Sequence, residues 1–137
     1  MRKKIMTFFL FAFLINVNII YSQTLESDNI TIQITKYDLV ETELPLFGKQ
    51  KIITGILSIT KNKKVYEYRY YAPLKNDTLQ DVALRDMDDM ELFPKFWYNG
   101  IEKTFSFDNK KENANKSSDY KSIILSGSLI WAKYYIK

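Results

Sequence analysis

Apolar and polar residues alternate along much of this chain, and the period of the alternation separates sheet segments from the rest. At 29–38, NITIQITKYD, Ile30, Ile32 and Ile34 fall on one side of an extended backbone and Thr31, Gln33 and Thr35 on the other. That pattern predicts a half-buried strand. Residues 52–60 are rich in β-branched side chains and end at the polar run Lys61-Asn62-Lys63-Lys64. Beyond it, KKVYEYRYY (63–71) carries a tyrosine at Tyr66, Tyr68 and Tyr70 with charges between. A strand, a polar turn and a second strand predict a hairpin.

The register of that hairpin follows from which pairing gathers the apolar side chains, because a slip of one residue exchanges the two faces. An even loop centred on Asn62-Lys63 pairs Ile59 with Tyr66, Leu57 with Tyr68, Gly55 with Tyr70 and Ile53 with Ala72. The other face then carries Thr60 with Val65, Ser58 with Glu67, Ile56 with Arg69 and Thr54 with Tyr71. An odd loop sets Ile59 and Leu57 beside Glu67 and Arg69, which buries charge. Tyr66, Tyr68 and Tyr70 therefore face inward, as core or rim residues whose hydroxyls need partners, or as a ladder lining a ligand site. Gly55 lets the Tyr70 ring lie over bare backbone, or marks a bulge. Tyr71, on the opposite face, is the better surface contact.

Elsewhere the pattern is less regular. Residues 39–50, with Pro45 and Gly48, read as a loop. With Asp77 or Thr78 as a cap, Leu79, Val82, Ala83, Met87 and Met90 recur at helical spacing until Pro94, which predicts one helix near 78–91. Asn99-Gly100 is the pair best suited to a two-residue type I′ turn. That turn puts Phe96, Tyr98, Ile101 and Phe105 on one face and Trp97 on the other, beside Glu102. Residues 108–119 read as a polar loop, and 121–137, with Ser126-Gly127-Ser128 and many β-branched residues, as strand. The fold class expected is α+β, mainly an antiparallel sheet of about five to seven strands with that one helix covering a face. A small lipocalin-like β-barrel is the alternative.

The N-terminus changes how the charge is read. Arg2, Lys3 and Lys4 precede an apolar run from 5 to 21, and Ser22 offers a small residue for cleavage, the pattern of an export signal. The run is shorter than the ~20 residues of a membrane-crossing helix and holds Asn16 and Asn18, so no stable membrane insertion is expected after cleavage. The expected organisation is a signal peptide at 1–22 and a single β-rich domain at 23–137, exported to the periplasm or secreted. The formal charge of +4 then shrinks: three of the 20 basic residues lie in the leader and none of the 16 acidic ones, which leaves +1. A near-neutral domain lacks the concentrated basic face that nucleic acid requires.

The chain has no histidine and no cysteine. Disulfides, thiolate chemistry, and the commonest zinc ligand and general base are thereby excluded. Ser118-Asp119-Tyr120-Lys121 has the S-x-x-K spacing of penicillin-recognising enzymes, but the other elements of that set are missing or out of order. The acidic run 86–91 suits a solvated face better than a calcium loop, which needs its glycine and wider spacing. Charge is segregated: residues 77–91 carry six acids against Arg85, and residues 49–75 seven basic residues against Glu67. The two segments either dock on one another or offer a partner patches of opposite sign. Asp77-Thr78-Leu79 resembles the Asp-Thr-apolar acceptor of O-linked glycans on exported bacterial proteins, and helix capping explains the same residues.

These readings point to a non-enzymatic, exported binding domain that recognises a protein or cell-envelope partner, with Trp97, Tyr71, Arg69 and the acidic helix near 78–91 as contact candidates. The alternative is a small barrel or cup that binds an apolar or sugar ligand, lined by Tyr66, Tyr68 and Tyr70. No catalytic or metal-ligating set and no cofactor are expected.

Overall fold

The computed structural model describes residues 24–46, 48–88, 93–114 and 119–137. The expected leader at 1–22 and its expected cleavage point, and Asp89 and Glu91 of the acidic run, lie outside the described residues.

Among the described residues nine strands and one helix follow in chain order: β1 Thr24–Ser27, β2 Ile30–Leu44, β3 Gly48–Lys61, β4 Lys64–Lys75, β5 Thr78–Leu79, β6 Asp81–Asp86, β7 Pro94–Asn99, β8 Thr104–Ser106, β9 Lys111–Asn113 and α1 Tyr120–Tyr135. The strands form one open antiparallel sheet in the order β1-β2-β3-β4-β6-β7-β8-β9, with β5 also on β4. The architecture is α+β, and the sheet does not close into the barrel held as the alternative.

The hairpin of β3 and β4 has the register that the alternation demands: Ile59 meets Tyr66, Leu57 meets Tyr68, Gly55 meets Tyr70 and Ile53 meets Ala72. Asn62 and Lys63 turn it with φ of 53° and 67°, the left-handed pair of a type I′ turn. Asp28-Asn29 and Asn76-Asp77 do the same between β1 and β2 and between β4 and β5.

That last turn explains the first correction. Residues 78–86 are not a helix but two short strands, because Asn76 and Asp77 both take left-handed φ, 53° and 60°, and fold Leu79 back onto Leu74. Asparagine and aspartate serve helix caps and tight turns alike, so their presence did not discriminate. Val82 and Leu84 then point inward against Phe96 and Tyr70. The second correction concerns 39–50, which is the far end of the β2–β3 hairpin rather than a loop. Glu41 meets Lys51 and Glu43 meets Lys49 across the strands, and Leu46 and Gly48 take φ of 78° and 75° at its turn. The two strands of 78–86, with β1 and β9, bring the strand count above the expected five to seven. Within 108–119, residues 111–113 form the edge strand β9 rather than loop.

The third correction is the C-terminal segment, a sixteen-residue helix and not a strand. Asp119 caps it: its carboxylate accepts from the Ser122 backbone N–H at 2.7 Å, and the Asp119 N–H donates to Ser122 Oγ at 3.1 Å. Ile123, Ile124, Gly127, Ser128 and Ala132 lie on one buried stripe at helical spacing. The small residues are there because the helix lies hard on the sheet; a Cβ on Gly127 would stand 2.1 Å from Phe96 Cε2. At the other end, Lys61 at the tip of β3 donates from Nζ to the carbonyls of Ala132 (3.0 Å), Lys133 (3.3 Å) and Ile136. A cation at a helix C-terminus satisfies orphan carbonyls and opposes the negative end of the dipole.

The helix contacts β1, β2 and β3 on one side and β7 on the other, so the sheet curls around it. The core between them is filled by Ile32, Ile34, Ile53, Leu57, Ile59, Tyr70, Phe96, Phe105 and Ile124, all fully buried.

Candidate functional site

Alternation along β7 turns Phe96 and Tyr98 to the helix face and Trp97 to the outer face, as the sequence implies. Its neighbours are Asp81 on β6 and Ser106 on β8, and not Glu102. The difference comes from the turn. Asn99-Gly100 is not a two-residue turn: Asn99 pairs with Thr104, and the Asn99 side-chain oxygen accepts from the backbone N–H of Ile101 (2.9 Å) and of Glu102 (3.0 Å). Lys103 closes the longer loop with φ of 58°. Ile101 consequently leaves the inward face assigned to it and stands 96% exposed. Gly100 lies over the Tyr98 ring, where a Cβ would come within 3.3 Å of Cε2.

Trp97, 41% exposed, and Ile101 line an open cleft of about 700 Å³ together with Gln80, Asn99, Gly100 and Ser106. The wall is aromatic and aliphatic, and the rim carries two carboxamides and the hydroxyls of Thr78 and Ser106. Asp81, half-buried beside Trp97, has its carboxyl pushed above the ordinary 3.8 by burial, partly offset by a backbone hydrogen bond. A cleft of this kind can clamp an apolar or ring-shaped group and orient it by hydrogen bonds. Among the described residues no group of three or more Asp or Glu is placed to hold a metal ion.

Tyr71 and Arg69 stand on the same outer face, one rung apart on β4. Tyr71 is opposite Thr54 and Ala83, and Arg69 is opposite Ile56 and Arg85. Arg85 donates from Nη2 to the Tyr71 hydroxyl at 3.2 Å and stacks 5.5 Å from its ring centroid. The three remaining tyrosines are on the helix face. Tyr70 is fully buried, with its hydroxyl donating to the Lys36 carbonyl at 2.6 Å. Tyr68 meets Trp131 edge-on at 5.5 Å, and Tyr66 packs against the core. Burial raises the hydroxyl pKa of both Tyr68 and Tyr70. Trp131 in turn stacks on Tyr135 at 6.3 Å.

The fold therefore collects the outer-face candidates on one surface and the tyrosine ladder on the opposite one. Ile101, Gln80 and Arg85 were not singled out as contacts from the sequence. The signal for Arg85 was its register, which was hidden while 78–91 read as helix. The basic and acidic segments do meet: β4 and β6 are neighbours, and Lys51 pairs with Asp77 at 3.0 Å. Among the described residues no helix is long and apolar enough to cross a membrane. Comparison with protein-family models, with characterised proteins and with solved structures yields no match to this chain.

Proposed function

We propose that this chain is an exported, non-enzymatic binding domain that recognises a protein or cell-envelope component through the surface around Trp97. The observation that carries the reading is the pairing of an outward Trp97 with a fully projecting Ile101 across an open cleft. An indole held on a sheet strand has few rotamers to lose and much apolar area to cover, which is why tryptophan dominates the centres of interfaces. The packed interior supports a surface site over an internal one, since α1 lies where a cup would hold its ligand. The absence of histidine and cysteine from the sequence supports binding over catalysis.

A second reading, a sugar ligand, draws on Gln80, Asn99 and Ser106 beside the indole, because a sugar ring stacks one face on an aromatic while its hydroxyls take polar partners. Tryptophan fluorescence tests both readings. Trp97 is open to iodide and Trp131 is packed, so binding of solubilised envelope material is expected to protect Trp97 alone, and Trp97→Ala is expected to weaken binding by about tenfold or more. Protease treatment of the material abolishes the effect for a protein partner and spares it for a glycan. Unchanged binding by Trp97→Ala and by Ile101→Ser would overturn the proposal.

A further inference from the structure

The chain contains three arginines, and two of them, Arg69 and Arg85, face each other directly across β4 and β6. The third is Arg2, in the leader. Lysine is far more abundant, so the two guanidinium groups of the described residues share a single rung of a nine-stranded sheet. The rung continues through Ile56 on β3 to Lys36 on β2, which places three cations in one cross-strand row of the outer face.

Like charges directly opposite one another in an antiparallel pair destabilise it. Among the described residues no carboxylate pairs with either guanidinium to offset this repulsion. Among the described residues the ion pairs are Lys51 with Asp77 and Lys111 with Glu102, and neither involves the row. Asp38 and Glu67 flank it on the adjacent rungs, and neither reaches a guanidinium or the Lys36 ammonium within ion-pair distance. Arg85 Nε is shut off from water and has no hydrogen-bond partner. A buried donor on a charged group is costly to leave unmade.

Tyr71 completes the set. Its hydroxyl accepts from Arg85 Nη2, so its own proton is left to donate elsewhere. Arg69, Tyr71, Lys36, Asp38 and Ile56 are among the residues that line a small cleft of about 200 Å³. Arg69, Lys36 and Tyr71 each bring a donor to this cleft, beside the Asp38 carboxylate, and Arg85 adjoins it through its hydrogen bond to the Tyr71 hydroxyl. Guanidinium groups in this number match the oxygens of a tetrahedral anion by paired, charge-assisted hydrogen bonds.

We propose that this rung is an oxyanion site that takes a phosphate group, with Arg69, Arg85 and Tyr71 as the contacting residues and Lys36 supplying long-range attraction. It is independent of the Trp97 reading, because it uses different side chains and a different cleft.

The test is a titration of sodium phosphate into the ¹⁵N-labelled protein, with sodium chloride at matched ionic strength as control, following the arginine Nε–H signals. The Arg69 and Arg85 signals are expected to move together and saturate, with a dissociation constant in the millimolar range or tighter, and Arg69→Gln is expected to weaken this about tenfold. Arg69→Gln in phosphate-free buffer is expected to melt at or above the parent temperature, since it removes the repulsion, and to lose the rise that phosphate produces in the parent. Equal shifts with chloride, or an unchanged titration in Arg69→Gln, would show non-specific screening and overturn the site. A clear drop in melting temperature for phosphate-free Arg69→Gln would give Arg69 a purely structural role and overturn it as well. Glycerol phosphate and phosphatidylglycerol vesicles, each compared with its phosphate-free counterpart, then separate a soluble ester from a lipid headgroup.

Discussion

The Tyr70 ring crosses the bare backbone of Gly55 to place its hydroxyl 2.6 Å from the carbonyl oxygen of Lys36, two strands away. The contact spans β4, β3 and β2 and sits where β2 bulges: Ile34 pairs with Leu57, Lys36 with Ile56, and Thr35 is the extra residue. Thr35 turns its hydroxyl to the Ile56 carbonyl at 3.3 Å. The bulge re-aims the Lys36 carbonyl inward, and the tyrosine satisfies it.

A Cβ at position 55 would stand 1.8 Å from the Lys36 oxygen and 2.5 Å from the Tyr70 hydroxyl. The first of these is backbone and cannot swing away. Gly55→Ala is therefore expected to cost more than Tyr70→Phe, about 3 kcal/mol or more from overpacking against about 1–2 kcal/mol for the orphaned carbonyl. Urea denaturation of the two variants gives the order; equal costs would mean that the sheet yields freely here.

Gly127 and Phe96 set the distance between helix and sheet. Gly127→Ala improves helix propensity by about 1 kcal/mol, yet it drives a methyl into the Phe96 ring and is expected to destabilise by about 1–3 kcal/mol net. Phe96→Leu shortens the obstructing side chain and should recover part of that loss in the double variant. Additive costs in the double-mutant cycle would contradict the contact.

Lys61 is the C-terminal cap of α1 although it belongs to β3. Lys61→Met keeps the stem and removes three donated hydrogen bonds, with an expected loss of about 1–2 kcal/mol. Amide exchange in the last turn, around Ala132 and Ile136, should quicken before the sheet responds. Uniform acceleration across the sheet would indicate that the helix end does not open independently.

Alkaline pH should unfold this protein through its tyrosines. Burial holds the Tyr70 hydroxyl well above the ordinary 10, and Tyr68 and Tyr37 are raised by burial too. A group whose folded pKa is raised contributes its stability below the unfolded value and loses it as the pH climbs through the folded one. Stability is thus expected to hold up to about pH 10 and to fall beyond it, more gently in Tyr70→Phe than in the parent. Circular dichroism melts between pH 8 and 12 read the difference; parallel pH profiles would remove Tyr70 from the account.

The sequence by itself determined the register of the β3–β4 hairpin, the inward set Ile53, Leu57, Ile59 and Tyr70, and the outward direction of Trp97 and Tyr71. All of these follow from period-two alternation, which a slip of one residue would destroy. Tertiary structure decided which ambiguous segments became strand or helix. Asn76-Asp77 could cap or turn, and the inward fit of Val82 and Leu84 chose the turn. Ser126-Gly127-Ser128 could break a helix or let one approach closely, and Phe96 supplied the surface that made close approach favourable. The Arg69–Arg85 rung was invisible for the same reason: a cross-strand pair exists only once two distant segments share a sheet, and local propensity carries no record of that pairing.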